Sequence, residues 1–297
     1  MIEHDYYDRK RVVQIRRLNH EVNAEETRYL YRIIESVNGK PIHTLQELVD
    51  AGYKIGDRPI VVTVYHVGSG SSMSDILEGE IEPVVWSPGS DLWVTAINQS
   101  WRDRTGRPLT DESCPATLRL PLAIAMWRPM AEALGWPDAP IGWDDLADLS
   151  TDPEGWATYG HPEWGPFRLG KTNPNYSTSG LHFTLGEYYA ATGKTRGLSL
   201  EDLARPEVGA FAEGVESAVV HYGDITMTFL NNWFRADARG TALTYASAVA
   251  IEEKSVIDYN AGNPDGVLSP GERPRVPRVP LVAIYPKEGT LFSDNPF

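Results

Sequence analysis

Two stretches of the chain place several hydroxyl side chains where a helix is predicted to begin. In the first, residues 166–194 (PFRLGKTNPNYSTSGLHFTLGEYYAATGK) predict a strand, a polar loop and a helix that ends at Gly193. Ser177, Thr178 and Ser179 then lie at the helix N-terminus, where backbone N–H groups lack partners and the helix dipole is positive. Such a position can bind an anion or a polar ligand, and the more common alternative is an ordinary Ser/Thr cap.

The second stretch repeats this pattern of strand, hydroxyl-rich loop and helix. In residues 61–79 (VVTVYHVGSGSSMSDILEG), an apolar strand runs into Ser69, Ser71 and Ser72, and a helix follows that ends at Gly79. Two such corners in one chain predict a ligand that is held between two walls by hydroxyls and backbone N–H groups.

A further pair of serines follows a third predicted strand, at residues 82–86. Ser87 and Ser90 come where that strand ends, which is the place where open α/β sheets bind ligands. Their alternative role is to form a turn and to cap the next helix, in which Trp93 and Ile97 share one face.

Length and composition restrict the class of protein. The chain has 297 residues, of which 41% are hydrophobic and 23% charged, so it can form two soluble lobes or domains. It carries 27 Lys and Arg against 41 Asp and Glu, a net charge of −14 that disfavours binding to nucleic acid or to anionic membranes. Cys114 is the only cysteine, which excludes an internal disulfide and a cysteine-based zinc cluster.

No apolar run in the sequence reaches transmembrane length. The first residues, MIEHDYYDRKR, are charged and lack the apolar core of a signal peptide. If the protein is exported, we therefore expect the export signal to lie outside this chain.

The order of predicted elements indicates an α/β fold with two lobes. We expect an N-terminal α+β segment at 1–59, a first lobe at 60–127, a second lobe at 128–278 and a return strand to the first lobe at 279–297. Apolar strands predicted at 118–126 and 279–286 bracket the second lobe, as two crossover strands would. Within that lobe we predict helices from Pro206 to Tyr222 and from Asp224 to Ala238, and a buried strand from Ala242 to Ile251.

The N-terminal segment has two interpretations. Residues 11–52 resemble the last part of a PDZ domain of the Deg-type serine proteases, with a strand, an Asn38-Gly39 turn and a helix at 44–51. The alternative is the opening βα unit of the larger domain.

Eight motifs carry a resemblance that covers about four fifths of the chain. In chain order they are VGSGSSM, VWSPGSDLW, PLAIAMWRPMAEALGWP, GWATYGHPEWGPFRLGKTNPNYSTSG, YYAATGKT, GVESAVVHYGD, SAVAIEEKSVIDYN and PLVAIYPKEGTLFSDNPF. With them, residues 60–297 resemble the bacterial extracellular solute-binding proteins of the type II periplasmic-binding-protein fold. The resemblance is strongest to the branch often encoded with von Willebrand A-type domains, which is distantly related to molybdate- and sulfate-binding proteins.

This resemblance implies two lobes that are joined by two crossover strands and close on a small polar solute or oxyanion in a cleft. It implies an extracytoplasmic protein that delivers its solute to a membrane ABC transporter or uses it as a signal. The partner that it implies is the membrane transporter or a von Willebrand A-type protein, and it implies no cofactor. The ligand-binding residues that it implies are Ser69, Ser71, Ser72, Ser87 and Ser90 on one wall, Ser177, Thr178 and Ser179 on the other, and Tyr245, Ser247 and Tyr259 from later motifs.

Two departures from the family pattern concern the first lobe. Leu18-Asn19-His20 stands where the family has a polar ligand-binding loop after its first strand. The chain also stops at Phe297, where the family continues with further helices. These departures leave open whether the first lobe is complete.

An enzymatic function is the first rival interpretation. Ser177 or Ser179 as a nucleophile would need a base, and His161, His182 and His221 are available. Neither serine lies in a G-x-S-x-G elbow, so we predict that the protein is not an enzyme.

Two other rival functions rest on shorter signals. His161 with Glu163, or His221 with Asp224, has tolerable metal-ligand spacing, but neither forms a helical His-x-x-x-His pair, and we predict no metal site. A peptide-binding adaptor acting through residues 11–52 remains the alternative function.

Overall fold

The computed structural model describes residues 12–16, 32–37, 40–41, 61–65, 67–83, 85–110, 114–116, 118–264, 266 and 273–296, the first four ranges by their backbone alone. The chain divides into two compact units, Met1–Arg119 with Ser293–Phe297, and Leu120–Phe292. Each unit contains both strands and helices, and the prediction of an α/β fold is confirmed. The helix predicted at 44–51 and the segment Leu18-Asn19-His20 lie outside the described residues, and the two interpretations of 1–59 stay predictions.

The first unit is built on antiparallel strand pairs. Its strands are β1 (Val12–Arg16), β2 (Arg32–Val37), β3 (Lys40–Pro41), β4 (Val61–Tyr65) and β5 (Val85–Ser87). β4 lies between β1 and β2, and β5 pairs with β2. Because β4 and β5 both run antiparallel to β2, they point in the same direction.

A helix follows each of these two strands. α1 (Ser69–Glu78) begins after β4 and ends at Gly79, whose φ of 75° is the left-handed conformation that glycine adopts without strain. α2 (Asp91–Thr105) begins after β5 and buries Trp93 and Ile97 on one face, as the spacing of these residues predicts.

The second unit has a mixed sheet with the strand order β10-β6-β9-β7-β8. Its strands are β6 (Leu120–Trp127), β7 (Leu169–Thr172), β8 (Val219–Gly223), β9 (Ala248–Glu252) and β10 (Leu281–Ile284). β7 runs parallel to β8 and β9, whereas β6 runs antiparallel to its neighbours β9 and β10. The carboxyl ends of β7, β8 and β9 therefore lie at one edge of the sheet, which we call the carboxyl edge.

Helices follow most of these strands. They are α3 (Arg128–Ala133), α4 (Trp143–Thr151), α5 (Thr178–Thr192), α6 (Leu200–Leu203), α7 (Pro206–Ser217), α8 (Thr226–Ala238), α9 (Ala242–Tyr245) and α10 (Glu253–Asn260). α4, α5 and α7 pack on one another, and α8 packs against β7 and β8. Across the described ranges, we find no helix long and apolar enough to cross a membrane.

Aromatic rings fill the core of the second unit. Trp127 and Trp233 are fully buried, with ring centroids 4.3 Å apart. Both indole N–H groups donate to the carbonyl oxygen of Ala246, at 2.7 Å and 3.2 Å, so the polar atom of each ring is satisfied inside the core. The run LPLAIAMW of β6, between β10 and β9, is buried from Leu122 onward, as the sequence predicts.

Two predicted elements of this unit are wrong in part. The helix predicted from Pro206 to Tyr222 ends at Ser217, and Val219–Gly223 forms strand β8, in which Tyr222 is exposed. Consecutive Val219 and Val220 suit a strand, and pairing with β7 overrides the apparent helical spacing. The strand predicted from Ala242 begins only at Ala248, because α9 comes first.

Candidate functional site

Four buried hydroxyl groups meet at the carboxyl edge of the second unit, and we call them the hydroxyl cluster. Ser179 Oγ lies 2.8 Å from Thr172 Oγ1, 3.0 Å from Ser177 Oγ and 2.8 Å from Thr226 Oγ1. All four residues are buried, and Ser179 is completely inaccessible. One serine therefore links the end of β7, the start of α5 and the start of α8.

Local backbone interactions turn the chain from β7 into α5 at this point. Asn173 N donates to the carbonyl oxygen of Gly223 at 2.9 Å and extends the β7–β8 pairing by one residue. Asn173 Oδ1 accepts from Asn175 N at 2.9 Å, and Ser177 N donates to the carbonyl oxygen of Asn173 at 2.8 Å. These bonds close a tight loop between the strand and Ser177 at the helix N-cap position.

Gly180 permits this close approach of helix and strand. A Cβ atom at this position would lie 2.3 Å from the carbonyl oxygen of Thr172, far inside van der Waals contact. The first turn of α5 consequently rests directly on the end of β7, which brings Ser179 within hydrogen-bond distance of Thr172.

Neither helix at the hydroxyl cluster has a side-chain cap. Ser177 occupies the N-cap position of α5, but its hydroxyl bonds to Ser179 instead of to the helix backbone. Ile225 occupies the N-cap position of α8, and no acidic residue lies in the first turn of either helix. Two positive dipole ends, each equivalent to roughly half an elementary charge, therefore meet at the cluster. Hydroxyls and helix N-termini in this arrangement can bind an anion or an oxygen-rich polar group.

Acidic residues also lie at the carboxyl edge. Glu252 ends β9 and is buried, and Glu253 begins α10 and pairs with the hydroxyl of Tyr285. The neighbouring cation Lys254 pairs with Asp258. An anion at this edge would therefore be held by helix dipoles and hydroxyls.

In the first unit, two of the predicted serines connect the start of α1 to the turn after β5. Ser69 Oγ accepts from Gly89 N at 3.0 Å. Ser72 Oγ accepts from the indole N–H of Trp86 at 2.9 Å and bonds to the carbonyl oxygen of Ser69 at 3.0 Å. Both serines are buried. Their hydroxyls hold the two corners of this unit together.

The other three serines of this unit have different surroundings. Ser90 caps α2 and accepts from Leu92 N at 3.4 Å, so it has the capping role that the sequence also allows. Ser87 Oγ donates to the carbonyl oxygen of Pro296 at 2.8 Å. Ser71, in the first turn of α1, is half-buried.

The structure does not bring Tyr245 and Ser247 to the hydroxyl cluster. Both residues precede β9, and Ser247 N donates to the carbonyl oxygen of Arg168, which precedes β7. They therefore lie at the amino ends of these parallel strands, about 10 Å from the carboxyl edge along a four-residue strand. Ser247 Oγ accepts from the indole N–H of Trp156 at 3.0 Å, while Tyr245 stacks on His221 with ring centroids 3.9 Å apart.

Tyr259 lies in the core of the second unit. It is fully buried against Trp127, Trp233 and Phe234, with centroid distances of 5.2–6.0 Å. Its hydroxyl has no hydrogen-bond partner within the described part of the chain, and burial raises the pKa of this phenol. The surroundings of Tyr259 are those of a packing residue.

A surface cavity of about 270 Å³ lies elsewhere in the second unit. It is lined by Trp164, Leu243, Arg278 and Val279, among others, and by none of the predicted site residues.

Two members of the hydroxyl cluster, Thr172 and Thr226, are absent from the sequence-based prediction. Thr226 stands near the start of the predicted helix at 224–238, so a hydroxyl at that helix start was a usable signal. Thr172 is the first residue of the predicted polar loop. Only the parallel pairing of β7 with β8 brings Thr226, 47 residues further along the chain, to Ser179.

The histidines and serines of the rival enzymatic and metal sites have other surroundings in the structure. The hydroxyls of Ser177 and Ser179 have hydroxyl partners, and neither bonds to a histidine among the described residues. His182 is buried, and the loss of hydration lowers its pKa to about 4. In the parts of the chain that the structure describes, no group of three or more His, Cys, Asp and Glu side chains could hold a metal ion.

Comparison with protein-family models and with curated proteins finds no match. Among solved structures, the chain is similar to the sulfate-binding protein SubI from Mycobacterium tuberculosis, with 12% identity and a TM-score of 0.45 over 77% of this chain and 61% of that one. It is also similar to the periplasmic binding protein AfuA from Actinobacillus pleuropneumoniae with fructose-6-phosphate bound, with 16% identity and a TM-score of 0.43 over 76% and 61%.

A third similar structure is a periplasmic thiamin binding protein, with 10% identity and a TM-score of 0.34 over 62% of this chain and 42% of that one. The chain thus spans less than two thirds of the length of each of these three structures.

Proposed function

We propose that the protein binds a small polar solute, and that the hydroxyl cluster with the first turns of α5 and α8 forms the binding site in the second unit. The observation that carries this proposal is the set of three hydroxyl contacts of Ser179, which join two uncapped helix N-termini at the carboxyl edge of parallel strands. Open α/β sheets bind their ligands at this edge.

The chemistry of the site favours a ligand rich in oxygen atoms. Hydroxyl groups both donate and accept, and the backbone N–H groups of a helix start donate to an oxygen or an anion. Thr178 lies in the same first turn and belongs to the proposed site. A small oxyanion and a neutral polyol are both compatible with these groups.

The wider role rests on the eight motifs that resemble the extracellular solute-binding proteins. From them we propose an extracytoplasmic protein, not an enzyme, that delivers its solute to a membrane transporter or uses it as a signal. Its proposed partner is the membrane transporter or a von Willebrand A-type protein. Ser69, Ser71, Ser72, Ser87 and Ser90 are the proposed binding residues of the first unit.

The test is thermal unfolding of the purified chain against molybdate, sulfate, phosphate, amino acids and sugars. A solute that binds only the folded state stabilises it by about 2.7 kcal/mol at a hundred times its dissociation constant. For a unit of this size, such a gain raises the melting midpoint by roughly 5–11 °C.

A variant of the hydroxyl cluster ties the binding to the site. Thr226→Val keeps the shape of the side chain and removes one hydroxyl partner of Ser179, so the dissociation constant should rise about tenfold. Ser217→Ala is the control, because that exposed hydroxyl donates to the carbonyl oxygen of Gly214 within its own helix. Equal midpoint shifts in wild type and Thr226→Val would show that the solute binds elsewhere.

A further inference from the structure

A second polar cluster of this unit is made of charged groups. Lys171 of β7 forms an ion pair with Glu216 of α7, and its Nζ lies 3.9 Å from Oε1 of Glu187 on α5. The side chains of Lys171 and Glu187 are 4% and 1% exposed. Glu187 Oε2 is buried and has no hydrogen-bond partner among the described residues. The three groups, which we call the Lys–Glu–Glu triad, connect a strand with two helices.

The triad holds one ammonium group and two carboxyl groups. Glu216 makes the close contact with Lys171 and is partly exposed, so it carries the balancing negative charge. A second carboxylate at Glu187 would be an uncompensated charge in an almost completely buried position, which is strongly unfavourable. Burial, opposed by Lys171 and reinforced by Glu216, raises the pKa of Glu187 to about 9. Glu187 is therefore protonated at neutral pH.

Few other charges face Glu187. From β8, the hydroxyl of Tyr222 lies 3.4 Å from Glu216 Oε2, and from α5 itself Phe183 lies under the Lys171 ammonium at 4.5 Å. The remaining titratable groups on α5 and on the elements packed against it are the half-buried Tyr188 and Tyr189, the exposed Asp144, Asp148, Glu207 and Glu213, Asp145 in its pair with Lys287, the neutral His182, and Glu252 at the far end of β9.

We infer that the Lys–Glu–Glu triad is a proton-dependent latch, in which protonated Glu187 lets Lys171 and Glu216 hold α5 and α7 on β7. Loss of that proton places an unbalanced carboxylate beneath α5 and weakens the packing of both helices. Lys171 directly precedes Thr172, and Glu187 lies eight residues, or about 12 Å, along α5 from Ser179. The latch thus supports the two elements that carry the hydroxyl cluster, and it holds whether or not a solute binds there.

The direction of the pH dependence follows from proton binding. Between the ordinary glutamate pKa of 4.5 and the raised value of about 9, folded Glu187 keeps a proton that the unfolded chain has lost. The contribution of Glu187 to stability is therefore fully present below pH 4.5 and is lost as pH rises. The loss lowers the folding equilibrium constant by up to about tenfold per pH unit and levels off above pH 9.

The test is urea unfolding of the whole chain at pH 6, 7, 8 and 9, with Glu187→Gln and Glu213→Gln. Glu187→Gln removes the ionisation and keeps the shape of the side chain. Over this range the folding equilibrium constant of wild type should therefore fall more steeply than that of Glu187→Gln, by up to about a factor of ten per pH unit. Glu213→Gln makes the same chemical change at an exposed position of α7 and should follow wild type. An equally steep loss in Glu187→Gln and wild type would overturn the inference.

Infrared spectroscopy gives a second readout that does not depend on the variant folding. At neutral pH the wild type should show the carbonyl stretching band of one protonated carboxylic acid, and that band should disappear on titration through about pH 9. A spectrum without this band at neutral pH would refute the latch.

Discussion

Gly180 is the position where a single added carbon should separate the two elements of the proposed site. In Gly180→Ala, the new Cβ would lie 2.3 Å from the carbonyl oxygen of Thr172 and 2.8 Å from the carbonyl carbons of Thr172 and Asn173. All three are backbone atoms at the end of β7, so they cannot move aside as a flexible side chain would. The first turn of α5 must instead move away from the strand by about 1 Å to restore van der Waals contact.

Two opposing effects decide the sign of this change. Alanine in a helix is favoured over glycine by up to about 1 kcal/mol. Overpacking against fixed backbone costs about 3 kcal/mol, the upper part of the usual range. We therefore expect Gly180→Ala to lower the free energy of unfolding by about 2 kcal/mol, which lowers the melting midpoint by roughly 4–8 °C for a unit of this size.

Gly209 offers a matched control in the first turns of α7. A Cβ atom at Gly209 meets nothing within 4 Å, and its φ is not positive, so only the helix preference acts. Gly209→Ala should stabilise the protein by about 0.5–1 kcal/mol. The two glycine-to-alanine changes should thus shift the urea midpoint in opposite directions.

The comparison has a clear refuting result. If Gly180→Ala is as stable as Gly209→Ala, then α5 does not rest on the end of β7, and the contacts between Ser179 and Thr172 are not those of the folded protein. If Gly180→Ala is destabilised but keeps wild-type solute affinity, the packing of α5 on the end of β7 is supported. The solute would then bind away from the hydroxyl cluster.

Two further predictions concern predicted site residues that lie away from the hydroxyl cluster. Tyr259→Phe removes a buried hydroxyl that has no partner among the described residues. The melting midpoint should therefore stay equal or rise slightly, and the solute affinity should not change. A weakened affinity would show that Tyr259 contacts the ligand. Ser247→Ala leaves the buried indole N–H of Trp156 without an acceptor and should lower the free energy of unfolding by about 1–3 kcal/mol. Its solute affinity at a temperature well below the midpoint should equal that of wild type, and a lower affinity would contradict the position assigned to Ser247.

Local sequence patterns were sufficient for the two helices that follow hydroxyl-rich loops. α5 and α1 both show apolar residues at helical spacing and end at glycines in the left-handed conformation, Gly193 and Gly79. The apolar run likewise identified β6, because strands that are buried on both faces have such a continuous apolar composition.

The errors arise where pairing between distant segments decides the structure. Val219 and Tyr222 extend the helical spacing of α7, but β7 offers a parallel partner, and the segment becomes an edge strand. The resemblance implies Tyr245 and Ser247 as ligand-binding residues because they match later motifs of the family pattern. Only the strand directions show that these two residues lie at the opposite ends of the parallel strands.

Only half of the proposed binding site could be predicted from the sequence. Ser177 and Ser179 stand at a helix start that the local sequence reveals, whereas Thr172 and Thr226 join them through the β7–β8 pairing. The Lys–Glu–Glu triad has no local pattern at all, since Lys171 and Glu216 are 45 residues apart and meet through the packing of α7 on the sheet.

The most direct test of the proposed function is a crystal structure of the chain with the solute that raises its melting midpoint most. We predict solute oxygen atoms within hydrogen-bond distance of the first turn of α5 and of Thr226 or Ser177 in the hydroxyl cluster. A solute that is well ordered in the second unit but bound away from the carboxyl edge would contradict this account.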